Sequence, residues 1–382
     1  MLKANAMSYG RSRLLLGMTA VGLITLTAVI LLVSQAHIRI LPETNTQGLW
    51  EFLLLLTVVS FWAVLLLPFD FFGGYFLPRH FCRAAPGLPN FILSWARGTI
   101  VQMTLITSLM WCLLQIGQIL GHVAAISFII VTQIGLLAFQ KHVAASVAHL
   151  PMKPARLDRD SGVVSGYAES AHTDSGFTGS IVGLPGFEEV VLPRSWRSQL
   201  APEQLRAELV RRLGAIRSGS RTRGVLLAIA MNTLTFTTCT LLPAAGVSTV
   251  GEIVSTSLYY TIFSFFWLLL LPKWSREGVF EADRFAYENG IPFKVIETAA
   301  ETIEALHDDD PKRSRQLESV FHPIPCVRRR MAELSLRIRS IRGYWNVARL
   351  LLFLSWTCGG FLSRAVHCNI GRPELWVLLP TD

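Results

Sequence analysis

Long apolar blocks alternate along the chain with shorter charged stretches, and the blocks have membrane-spanning length. The first covers about residues 14–33, behind Arg11 and Arg13. No small-residue cleavage site closes it and more apolar blocks follow, so the pattern predicts an anchoring span. The second covers about 49–67, with Glu51 at its interfacial start. An aromatic stretch rich in Pro and Gly, 68–79, reads as an interfacial loop. The third and fourth spans cover about 99–120 and 124–139. A fifth, about 225–242, and a sixth, about 254–271, end at Pro243 and Pro272 and form a hairpin across the tight 246–251 connection.

Between these blocks the period changes. Residues 157–176 are polar and aperiodic, which predicts a loop. Residues 177–182 and 187–192 are short β-type runs around Gly183-Leu184-Pro185-Gly186, which predicts a hairpin. Pro202 opens a helix with Glu203 in its first turn, and Leu205, Leu209, Leu213 and Ile216 form its apolar stripe. A charged helix is expected over 274–288, and Pro311 breaks a later acidic one. Residues 327–341 form a basic amphipathic helix that suits either the membrane surface or a solvated bundle. The last apolar block, 347–362, is weakened as a span by Arg349 and Gly359-Gly360; it either lies in the interface or fills a groove.

The chain thus divides into four N-terminal spans (1–139), a first soluble half (140–223), a membrane hairpin (224–272), a second soluble half (273–344) and a C-terminal apolar segment and tail (345–382). Neither soluble half is large enough to bury a good core alone, so the two are expected to pack together.

Composition sharpens this picture. Hydrophobic residues make up 51% and charged residues 16% of the chain, against about 25% charged in soluble domains. That excludes an ordinary soluble protein and a disordered one. The net charge of +9 is explained by Lys and Arg collecting on one side of a membrane. No nucleic-acid-binding motif accompanies it, so nucleic acid is not an expected partner; the lipid bilayer is. Lys3, Arg11 and Arg13 place the N-terminus inside, and the loop with Arg79, Arg83 and Arg97 and both soluble halves fall on the same side. The expectation is a multi-pass protein of the cell (inner) membrane with its N-terminus and soluble domain cytoplasmic. The six cysteines contain no C-x-x-C pair, which argues against a disulfide framework and a zinc ribbon.

The order of parts resembles the membrane-embedded zinc metallopeptidases of the CAAX prenyl endopeptidase and HtpX type. Leu67-Pro68-Phe69-Asp70 through Gly74-Tyr75-Phe76-Leu77-Pro78-Arg79 is similar to the family's "LPFD…GY.LPR". Leu200-Ala201-Pro202-Glu203-Gln204-Leu205, behind the hairpin, is similar to the approach to the metal-binding helix. A membrane hairpin follows that helix, then Ser275-Arg276 with Ala282-Asp283-Arg284-Phe285-Ala286, similar to "SR..E…ADxxA". His322-Pro323 with Arg329-Arg330 and Leu334 is similar to "HP…R…L". The resemblance implies a mainly α fold, a multi-span transmembrane helix bundle with a cytoplasmic gluzincin-like α-rich domain carrying a small β-hairpin.

The resemblance also locates what is missing. In the family H-E-x-x-H places two zinc ligands on one helical face, with a general base between them. Aligned on Ala207-Glu208-Leu209-Val210-Arg211-Arg212-Leu213-Gly214-Ala215, the two histidines fall on Arg211 and Ala215, and the base falls on Arg212. The third ligand, a glutamate, falls on Val279, while the aspartate four residues later is retained as Asp283. Glu281 lies two residues from position 279, about 200° around the helix, and does not replace it; Glu277 fails in the same way. No metal, cofactor or catalytic residue is therefore expected, and Asp283 is expected to pair with Arg211. His122, His142, His149 and Asp308-Asp309-Asp310 read as solvated or interfacial groups, and no nucleophile elbow or phosphate loop appears.

Three functions compete. A non-catalytic relative, a pseudopeptidase, would bind or regulate membrane proteins or peptides, or a catalytic homologue. Its candidate peptide-binding edge is Phe177, Thr178, Gly179, Ser180, Ile181 and Val182, and the alternative is that this run only closes the core. An active membrane metalloendopeptidase would need ligands from elsewhere. A transporter is disfavoured because the spans carry few buried charges.

Overall fold

A computed structural model describes residues 7–41, 48–83, 85–148, 153–156, 166–170, 177–307, 324–336, 342–355, 358–366, 369–372 and 375–378. The first block folds as α1 (Tyr9–Ser34), capped by Ser8, whose hydroxyl accepts from the Arg11 amide. The short α2 (Ala36–Ile40) follows, after Gln35 at φ 53° ends the first helix. Helix α3 (Leu49–Phe71) continues through a π-helical turn (Phe72–Phe76) into α4 (Leu77–His80). The loop expected over 68–79 is therefore helical. Its glycines serve close packing: a Cβ on Gly73 or Gly74 would strike the backbone of Ile370 or Gly371.

Helix α5 (Leu88–Ala148) holds the third and fourth blocks as two arms broken at Gly121, where φ is 77°. Ile106 and Leu136, on opposite arms, line one small cavity, so the arms fold back on each other. Tyr9–Ser34, Leu49–His80, Leu88–Val147 and Val250–Leu270 are long and apolar enough to cross a bilayer. The chain is a multi-pass membrane protein with a mainly helical fold. Glu51, expected at the interface, is buried and accepts from the Gln115 and Gln118 side-chain amides at 2.8 and 2.9 Å.

The soluble part begins with a four-stranded sheet of order β1 (Lys153–Arg156), β2 (Gly166–Ser170), β4 (Glu189–Pro193), β3 (Ser180–Val182). The predicted hairpin is present as β3 and β4, antiparallel with Ile181 opposite Val190. Strand β2 lies inside the stretch read as a loop. It gains its ladder from a parallel neighbour, β4, in which Ala168 faces Val191, and pairing with so distant a segment leaves no local period to read. The rest of residues 157–176 lies outside the described residues.

After α6 (Trp196–Gln199) come α7 (Pro202–Arg217), α8 (Ser220–Thr240), α9 (Val250–Leu270), α10 (Pro272–Glu288) and α11 (Phe293–His307). Helix α8 stands where the fifth span is expected but is too polar to qualify by composition. Two of its polar side chains find partners within the protein: Asn232 donates to the Leu351 carbonyl at 3.0 Å and Thr235 accepts from the Trp267 indole at 3.0 Å. Helix α12 (Val327–Ser335) buries Val327, Arg330, Met331 and Leu334 against α10 and α11, so it is a bundle helix and not a membrane-surface one. The expected His322-Pro323 motif, Asp308-Asp309-Asp310 and His149 lie outside the described residues.

Of the two readings of the last apolar block, the structure has the groove. Helix α13 (Val347–Phe353) spans seven residues, all buried, far short of the roughly 20 needed to cross. A 3₁₀ turn (Cys358–Phe361) and α14 (Leu362–Ala365) continue inside the membrane bundle.

Candidate functional site

Helices α7 and α10 form the most extensive helix pair of the soluble part, because each has small residues where they cross. Gly214 lies against the Phe285 ring, leaving no room for a Cβ. Ala207, Ala215, Ala282 and Ala286 are all fully buried. This close approach brings the aligned positions of the two helices together.

At the polar end of the contact Arg211 is fully buried. Its Nε donates to Asp283 Oδ1 at 2.6 Å, and its Nη1 donates to both oxygens of Glu208 at 2.7 Å. Arg212, also fully buried, donates to Glu208 Oε2 at 2.7 Å and to the Glu208 carbonyl at 2.9 Å. Arg330 of α12 completes the cluster with Nε to Asp283 Oδ2 at 2.8 Å and Nη2 to Oδ1 at 2.9 Å. Three guanidinium groups thus share two carboxylates. Burial alone would push the Glu208 carboxyl up, but Arg211 and Arg212 outweigh it and hold it down at about 2. Asp283 is likewise pushed up by burial and brought below its ordinary value by Arg211 and Arg330.

At the apolar end Ala215 and Val279 join Ile181, Ala282 and Trp345 in one cluster. The structure therefore brings Arg211, Ala215, Val279 and Asp283 to the α7–α10 contact, with charge at one end and hydrocarbon at the other, while Arg212 turns from the same helix toward the sheet. Glu281 points elsewhere, to the Arg223 guanidinium at 2.7 Å.

The same cluster reaches the sheet. Arg212 Nη2 donates to the Thr178 carbonyl at 2.6 Å, and its guanidinium lies 5.1 Å from the Trp196 ring centroid. Strand β3 is the last strand of the sheet, yet Phe177, Thr178, Gly179, Ser180, Ile181 and Val182 are all buried. The edge is topologically terminal and sterically covered.

Two members of the cluster were not singled out from sequence. Glu208 stands three and four residues before the two arginines, the spacing of helical ion pairs, and that signal was readable. Arg330 lies in the "HP…R…L" stretch, but only the fold shows which arginine of Arg328-Arg329-Arg330 turns inward.

No protein-family model matches the chain, and no curated protein sequence does. Among solved structures, the crystal structure of Ste24p from S. mikatae superposes with a TM-score of 0.64 at 13% identity, over 76% of this chain and 77% of that one. The chain has the Ste24p fold.

The family resemblance attaches zinc to such a scaffold, so the donor set is the test. A catalytic zinc takes about three N, O or S ligands from the protein. The aligned positions offer two permanent cations, a methyl group and an isopropyl group. Arg211 and Arg212 spend their hydrogen bonds on Glu208, Asp283 and Thr178 and would repel a dication. Among the described residues no three His, Cys, Asp or Glu side chains converge as a metal site. These residues do not fit zinc on the Ste24p fold, and no hydrolytic step is derived through it.

Proposed function

We propose that this chain is a non-catalytic membrane protein on a zinc-metallopeptidase scaffold, a pseudopeptidase that binds or regulates membrane proteins or peptides. Ste24p shares the fold, and the sequence motifs resemble those of membrane-embedded zinc metallopeptidases of the CAAX prenyl endopeptidase type. The observation that carries the reading is the pair Arg211 and Arg212, buried side by side at the aligned positions of the first ligand and the general base. A cluster of this kind holds helices together; it neither binds a dication nor activates water.

In this reading the N-terminus and soluble domain face the cytoplasm, following the basic loops. The recognition element is the run 177–182, whose strand Ser180–Val182 ends the sheet; because the run is buried, an extended segment adds there by strand addition only once its covering contacts open. Arg212 already donates to Thr178 there, as an incoming backbone amide would. A peptide pairing at that position has to replace the Arg212 contact.

Elemental analysis of the purified full chain tests the reading. Zinc well below stoichiometric, together with photocrosslinking of an extended peptide from position 181, is the expected result. Stoichiometric zinc overturns it in favour of a membrane metalloendopeptidase.

A further inference from the structure

The turn of the β3–β4 hairpin leaves one large apolar side chain uncovered. Pro185 and Gly186 occupy its central positions, and the Phe187 amide donates to the Leu184 carbonyl at 2.9 Å. Gly186 stands at φ 89°, as the third residue of a type II turn requires. The Pro185 ring fixes its own φ and Gly186 accepts a left-handed one, so the sequence sets this corner locally. The Gly186 amide also donates to Glu188 Oε2 at 2.6 Å. Phe187 is therefore held on a short, preformed corner. Yet it is 84% exposed, more than any other large apolar side chain among the described residues.

The corner is fastened to the end of a membrane span. Gln140 Oε1 of α5 accepts from the Gly183 amide at 3.2 Å, and Lys141 pairs with Glu189. Leu184 packs against the apolar core of the bundle. These attachments come directly after the fourth apolar block. Val131, Ile134 and Phe139 are exposed on that arm of α5, and on a helix that crosses a bilayer such side chains meet lipid. Lys141 and His142 follow and are exposed too, so hydrocarbon gives way to water within about one helical turn. The end of α9 is marked in the same way: Leu270 and Trp274 are exposed, and the Trp274 ring centroid lies 6.0 Å from that of Tyr344. A lone exposed apolar ring on a protein surface is ordinary. A ring fixed at the rim of the hydrocarbon stands where membrane proteins carry their aromatic belts.

We propose that the 184–187 corner is a membrane-surface anchor, with the Phe187 ring entering the boundary between phospholipid headgroups and acyl chains beside the end of α5. Burial of the ring supplies the attraction. Because Pro185 and Gly186 already fix the corner, docking costs it little conformational freedom. The consequence is geometric. Strand β3 runs directly into the corner and β4 leaves it, so an anchor at Phe187 sets the height of the sheet above the bilayer. Together with Gln140 and Lys141 it keeps the sheet from rocking on the end of α5, and the same sheet is joined to α7 through Arg212 and Thr178. The inference stands on the span and the corner and does not depend on the pseudopeptidase reading.

The test uses the full chain in liposomes of phosphatidylcholine and phosphatidylglycerol. A photoreactive benzophenone side chain replaces Phe187 in one protein and Glu203 in another; Glu203 is exposed in the opening turn of α7, the end remote from α8. After irradiation, the protein labelled at 187 is expected to carry the mass of one phospholipid, with a yield about tenfold or more above that at 203. Adducts at 187 that form within the chain or to a second copy, in place of lipid, overturn the proposal. A smaller probe checks depth without the bulky group: a spin label on Phe187→Cys, with the exposed Cys82 changed to Ser. At 187 the label is expected to collide more with oxygen, which concentrates in hydrocarbon, than with a water-soluble nickel complex. The order reverses for Glu203→Cys. A label at 187 that meets the nickel complex as often as the one at 203 overturns the proposal.

Discussion

Arg211 and Asp283, 72 residues apart in sequence, are joined by a 2.6 Å hydrogen bond with both side chains almost completely shielded from solvent. The bond ties α7 to α10 at the level where the resembling family places a metal ligand and its orienting aspartate. Arg330 holds the other face of the same carboxylate, so Asp283 serves as the junction of three helices.

Removing that junction leaves two buried cations short of a partner. Asp283→Ala is expected to destabilise the soluble part by about 3–5 kcal/mol, the range for breaking a buried ion pair from one side. Thermal unfolding in detergent, followed by the accessibility of a cysteine placed on α11, measures it. An unchanged midpoint would show that the cluster contributes little.

Glu208 makes the fold sensitive to acid. Its folded-state value, about 2, lies below the ordinary 4.5. The stability it contributes is complete above about pH 4.5 and is lost as the pH falls from there toward 2. Glu208→Gln is expected to unfold more readily at pH 7 and to show a shallower loss between pH 4.5 and 2. Parallel acid titrations of the two proteins, monitored by tryptophan fluorescence, would refute this if their slopes coincide.

Gly214 sets the distance between α7 and α10. A methyl group there would lie within 2.9 Å of three Phe285 atoms, so Gly214→Ala is expected to cost about 1–3 kcal/mol despite the better helix propensity of alanine. Combining it with Phe285→Leu should recover part of the loss. A double-mutant cycle with no coupling would place the two residues apart.

Restoring the metal site is a direct test of how the helices align. Arg211→His, Arg212→Glu, Ala215→His and Val279→Glu together recreate the ligand pattern. Because the change strips Glu208 of two cations, Glu208→Val belongs in the same variant. About one zinc per folded chain is the expected gain, measured by elemental analysis. A folded variant that binds none would mean that these positions do not converge as aligned.

Hydropathy and residue order carried much of this protein. Long apolar runs must leave water as helices, so the spans, the helix opening at Pro202 and the β3–β4 hairpin were legible. Residue type alone says that Arg211, Ala215 and Val279 do not donate to zinc and that Arg212 does not act as a base. Tertiary structure decided what those residues do instead. The inward turn of Arg330, the reach of Arg212 to Thr178 and the burial of the 177–182 edge depend on contacts between segments distant along the chain. So does the C-terminal segment: 347–362 is apolar enough to be ambiguous, and only the polar side chains waiting inside the bundle select a buried, broken path over a membrane surface.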